Sequence, residues 1–109
     1  MGRGSRRARA GVNARLTSAA QADLQTALAW YRERRVGLDR DFLAAFDASL
    51  NAVIAHPEIS PVIESGIRRH LMQRFPYALF YLAKPAEIVV IGCFHAARDP
   101  AVWRSRGAA

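Results

Sequence analysis

The sequence of 109 residues has one cysteine, Cys93, and one lysine, Lys84. It also lacks any apolar run near the roughly 20 residues that a membrane-spanning helix requires. A lone cysteine excludes an intramolecular disulfide and every cysteine-based metal site, and it fits a reducing cytoplasm. The motifs of the common cofactor enzymes are missing too: no phosphate-binding glycine loop, dinucleotide fingerprint, HExxH, metal-spaced cysteines or nucleophile elbow. Neither a metal nor an organic cofactor is expected, and no membrane partner.

What is present is an ordinary domain with unusual charge. Hydrophobic residues make up 51% and charged residues 23%, which suits one globular core and excludes collagen-like, coiled-coil and fully disordered chains. Sixteen basic residues face nine acidic ones, a net charge of +7, and all but Lys84 are arginine, whose planar fork suits phosphate and carboxylate. A high-GC genome would account for arginine in place of lysine, but not for the net charge. The charge is unevenly spread. Residues 1–12 carry four arginines and no acid, residues 13–66 five basic and seven acidic residues, and residues 67–109 seven basic and two acidic. Residues 1–12 read as a flexible basic extension, with a single domain over 13–109.

Val12, Ala14 and Leu16 alternate with polar residues and read as a short edge or joining strand. A capping box of Ser18 and Gln21, or a Thr17 cap, opens a helix over residues 18–35. Gly37 allows a tight link to a second helix that ends at His56-Pro57, so the two form an antiparallel hairpin. Residues 58–66, with Pro61 and Gly66, read as a loop. Strands follow over 67–74, 77–83 and 87–95, with links short enough to demand an antiparallel meander. The last strand is apolar on both parities, as a central strand covered on both faces would be. Asp99-Pro100 then caps a short helix carrying Trp103. The fold class is α+β: a helical hairpin packed on a three- to four-stranded antiparallel sheet, with a short C-terminal helix.

Candidate functional residues concentrate in the sheet half. Tyr77 and Tyr81 share a parity with Leu79, which predicts tyrosines on the sheet face away from the helices. There, with Arg68, Arg69 and Arg74, they could stack bases and hold phosphates. His95 beside Arg98 suits general acid–base chemistry on a phosphodiester, the arginine stabilising the transition state. A structural role stands beside it, with His95 closing the strand and Arg98 bridging to a helix carboxylate. Trp103 reads as the anchor of the last helix, which also carries the target-binding candidates Arg104 and Arg106.

Several segments resemble a known family: Ala27-Leu28-Ala29-Trp30-Tyr31, Gly37-Leu38-Asp39-Arg40-Asp41-Phe42-Leu43, His56-Pro57, Gly66-Ile67-Arg68-Arg69, Phe75-Pro76-Tyr77, Tyr81, and His95-Ala96-Ala97-Arg98-Asp99-Pro100 with Trp103. In this order and spacing they resemble the RelE/ParE toxin superfamily over residues 14–106. The resemblance implies the toxin half of a type II toxin–antitoxin pair, cytoplasmic, and held in a hetero-oligomer by an acidic antitoxin. It leaves two targets open: DNA gyrase for ParE-like members, and mRNA on the ribosome, cut without metal, for RelE-like members. Ala78 follows Tyr77 where the RelE-like nucleases place an arginine. Residues 67–74 lack lysine, and Trp103 stands where a late tyrosine is expected. The chain is therefore closer to ParE, leaning away from an enzyme. A non-toxic nucleic-acid-binding or interaction module is the remaining alternative.

Overall fold

The computed structural model describes residues 5–7 and 13–107. Along the chain lie β1 (Ser5–Arg7), β2 (Asn13–Leu16), α1 (Ser18–Arg34), α2 (Leu38–Ala55), β3 (Val62–Glu64), β4 (Ile67–Leu71), β5 (Tyr77–Lys84), β6 (Glu87–His95) and α3 (Pro100–Arg104). The strands form one sheet in the order β1-β2-β6-β5-β4-β3.

Local chemistry sets the helix ends. Thr17 caps α1, its hydroxyl accepting from the Ala20 N–H at 3.1 Å, while the Gln21 side chain donates to the Leu16 carbonyl. The cap is thus Thr17 alone, and the expected box of Ser18 with Gln21 is not made, because Ser18 is already helical. Gly37, at φ +87°, makes the left-handed turn into α2 that a side chain would strain. α1 buries Ala20, Ala27 and Tyr31. The two alanines, seven residues apart, keep a thin stripe against the sheet.

The meander of β4, β5 and β6 is antiparallel, with Ile67 opposite Leu82 and Tyr77 opposite His95. β2, however, runs parallel to β6, Ala14 opposite Ile88 and Leu16 opposite Val90, so the sheet is mixed and larger than expected. The apolar β6 is central, as read, and it needs a neighbour on both sides. Two further strands were not foreseen. β3 lies in the expected loop, joined to β4 by Ser65 (φ 50°) and Gly66 (φ 81°), the paired positive-φ residues of a type I′ hairpin. β1 lies in the expected flexible extension and pairs antiparallel with β2. The rest of that extension lies outside the described residues.

Both sheet faces are covered. The helical hairpin packs on Leu79, Tyr81, Ile88, Val90 and Cys93, with Tyr31, Phe42, Phe75 and Tyr77 as an aromatic knot at ring distances of 5.0 to 5.9 Å. The second face carries Ile67, Phe80, Val89, Ile91 and Phe94 beneath Trp103 of α3. Trp103 stacks on Phe80 at 5.8 Å, and Phe80 on Phe94 at 4.6 Å. A bulge flips parity within β6. Phe80 faces Gly92 and Tyr81 faces Val90, leaving Ile91 extra. Gly92 is required there, since a Cβ would sit 2.7 Å from the Phe94 ring.

Trp103→Ala should lower the unfolding free energy by about 3 kcal/mol in urea titration, because it uncovers the second face. A loss well under about 1 kcal/mol would mean that α3 does not hold that face closed.

Candidate functional site

β2 stops at Leu16 opposite Val90, and the chain turns into α1 at once. From Ile91 onward, β6 therefore has no strand on that side. Two side chains take the place of the missing ladder. Asp23 of α1 accepts the Cys93 N–H at 3.1 Å, and Arg106, beyond α3, donates to the Ile91 carbonyl at 3.1 Å. The two are joined by an ion pair, Arg106 Nη1 to Asp23 Oδ2, and both side chains are largely buried. Burial, with Asp23 nearby, pushes the Cys93 thiol up to about 12, so it is an inert neutral group.

Beside this clamp lies a cavity of about 150 Å³ lined by Asp23, Thr26, Ala27, Tyr77, Cys93, Phe94 and Arg98. His95, the last residue of β6, is exposed, with its ring 6.0 Å from that of the lining Tyr77. Its Nδ1 accepts the Ala97 N–H at 3.1 Å, and its carbonyl accepts the Arg98 N–H. Nδ1 is thereby occupied, leaving Nε2 as the nitrogen free to contact a ligand. Arg98 holds its guanidinium 5.4 Å over the Phe94 ring and has no carboxylate partner among the described residues. The structure thus brings His95, Arg98 and Tyr77 together.

The other candidates are dispersed. Arg68 donates to the Ser60 carbonyl at 2.6 Å, Arg104 pairs with Glu64 at 2.8 Å, and Arg74, at φ 71°, lies 3.7 Å from Asp41 on the helical side. Arg69 is exposed on the face that carries Phe80, without a partner among the described residues. The expected display of tyrosines is reversed. Tyr81 is fully buried under the hairpin, donating to the Pro57 carbonyl at 2.8 Å, and Tyr77 belongs to the aromatic knot. Alternation in β5 separates two faces, but both are apolar, so it does not tell which one the hairpin covers. Asp23 and Thr26 were missed. Asp23 lies three residues after Ala20 and four before Ala27, a carboxylate on the buried stripe of α1, and that was the available signal.

A family model described as the ParE toxin of the type II toxin–antitoxin system parDE matches residues 14–100. The chain belongs to the ParE toxin family. The match runs from β2 to the start of α3, so it includes every residue lining the cavity and ends ahead of Arg104 and Arg106. A solved structure titled "Chromosomal ParDE TA system from P. aeruginosa" is similar at a TM-score of 0.62 and 18% identity, covering 75% of this chain and 92% of that one. At that identity the likeness speaks for the fold. No curated protein matches the sequence. Among the described residues of this ParE-family chain, no helix is long and apolar enough to cross a membrane.

Asp23→Ala should cost about 2 kcal/mol in chemical denaturation, because it strands the Arg106 guanidinium and the Cys93 N–H; combined with Arg106→Ala, the loss should fall short of the sum. His70, which shares a 2.8 Å hydrogen bond with the buried Ser60, is held below its ordinary 6.5 by burial. Its folded state binds the proton less readily than the unfolded chain. Its contribution to stability is therefore full above pH 6.5 and is lost as pH falls through the lowered value. In His70→Gln the decline of unfolding free energy between neutral and acid pH should be shallower, and an unchanged slope would count against the assignment.

Proposed function

We propose that this chain is a type II toxin that acts by protein contact on DNA gyrase, in the cytoplasm, and is silenced by a cognate acidic antitoxin. The observation that carries this reading is the commitment of its arginines. Metal-free cleavage of RNA needs several donors converging on the phosphate, and losing even one such donor costs about 3 to 4 kcal/mol of barrier. Arg68, Arg74, Arg104 and Arg106 are each tied to a carbonyl or carboxylate of this chain. Among the described residues, Arg98 is the one unpaired arginine placed beside His95, Arg69 lying on the opposite sheet face. The family match supports the toxin role, and the two open targets are weighed by this geometry in favour of gyrase.

Neutralisation by an acidic partner fits the charge. The sheet half, residues 67–109, holds seven basic residues against two acidic ones, while residues 13–66 hold five against seven. An acidic chain would be drawn to the sheet side and held there by short-range pairs.

One set of assays separates the readings. Purified chain added to gyrase, supercoiled plasmid and ATP should yield cleaved DNA after detergent and protease, and its expression without antitoxin should arrest growth. Intact DNA together with ribosome-dependent mRNA cleavage that His95→Ala plus Arg98→Ala abolishes would instead establish the nuclease. Normal growth without a partner would establish a non-toxic module.

A further inference from the structure

The cavity beside β6 is unevenly charged. Its one carboxylate, Asp23, is occupied by the Arg106 guanidinium and the Cys93 N–H, so its charge is neutralised within the wall. Its one lining cation, Arg98, is exposed and has no carboxylate partner among the described residues. The hydroxyls of Tyr77 and Thr26 likewise have no hydrogen-bond partner there. The remaining walls, Ala27, Cys93 and Phe94, are apolar or inert.

This combination selects a ligand. A cavity of about 150 Å³ admits a carboxylate on a short methylene stem. The apolar walls suit the methylenes. The guanidinium can take both carboxylate oxygens in its fork, with a hydroxyl as a further donor. Tracking a phosphodiester backbone needs a series of cations, whereas the cavity's lining holds one, Arg98. Thr26 and Arg98 at its rim are exposed, so an incoming side chain has access.

We propose that this cavity is an anchor point for an acidic side chain, a glutamate or aspartate, presented by the neutralising protein partner. The partner's identity rests on the type II toxin reading, while the preference for a carboxylate rests on the cavity alone.

The full chain, observed by amide NMR, would be titrated with N-acetyl-glutamate N-methylamide, which carries one side-chain carboxylate, and separately with dimethyl phosphate. Saturable shifts at Cys93, Phe94 and Arg98 are expected with the carboxylate, and weaker binding with the phosphodiester. Arg98→Gln, at an exposed position that should not disturb folding, is expected to weaken carboxylate binding about tenfold. Absence of saturation, or equal affinity in Arg98→Gln, overturns the pocket; tighter binding of dimethyl phosphate overturns its selectivity in favour of nucleic acid. In a second arm, the protein encoded by the gene adjoining this chain's own would be titrated onto wild type and Arg98→Gln. About tenfold weaker binding by the variant supports the anchor role and equal binding overturns it. If that protein fails to bind wild type, the partner assignment falls with the type II reading, while the small-molecule titration still decides the pocket.

Discussion

The pairing of Asp23 with Arg106 closes a strand that the sheet leaves unfinished. β6 is the most buried strand of the molecule, yet β2 accompanies it only as far as Val90. An unpaired edge beside the core would leave the Cys93 N–H and the Ile91 carbonyl without partners, at a cost comparable to a lost hydrogen bond for each. A carboxylate from α1 and a guanidinium from beyond α3 take those two groups and neutralise each other. One contact thereby joins the first helix, the central strand and the C-terminal segment, residues 83 positions apart in sequence.

Much of the remaining architecture follows from that closure. With Arg106 held at the edge, α3 lies across the second sheet face, and five residues cover it through a single indole stacked on Phe80. The bulge at Ile91 turns Cys93 toward the hairpin and Phe94 toward α3. Gly92 leaves room for the Phe94 ring and the Arg106 guanidinium. The same stop in β2 creates the cavity, because α1 leaves the sheet plane before it can fill the space beside Tyr77 and Phe94. The feature that threatens the sheet and the feature that offers a binding site are one discontinuity.

The fold was legible where signals are local. The helix expected over 18–35 is Ser18–Arg34, the strand expected over 87–95 is Glu87–His95, and Asp99 accepts from the Ala101 N–H as the cap ahead of Pro100. β3 was hidden because Pro61 and Gly66 bracket only three strand residues, too few for a period of two to register. The direction of β2 was hidden because a lone four-residue strand carries no mark of the neighbour it will meet. Near the cavity, His95 and Arg98 were singled out at the end of the last strand and Tyr77 by its parity in β5, and the fold places the three side by side. The tyrosine face was inverted because hydrophobicity on both parities of β5 and β6 leaves no polar side to orient the sheet. Asp23 was passed over, although its spacing from Ala20 and Ala27 places it on the buried stripe.

The sequence by itself determined the class of fold, the basic character of the sheet half, and the family, because composition, periodicity and ordered short motifs are properties of the chain alone. Only the tertiary structure decided which charges remain available. Arg68, Arg74, Arg104 and Arg106 look alike in sequence to Arg69 and Arg98. The first four meet a carbonyl or a carboxylate between 8 and 83 residues away in the chain, and the last two meet none among the described residues. A guanidinium's function depends on what lies within hydrogen-bond distance of it, and at separations of tens of residues that is set by how the strands and helices pack.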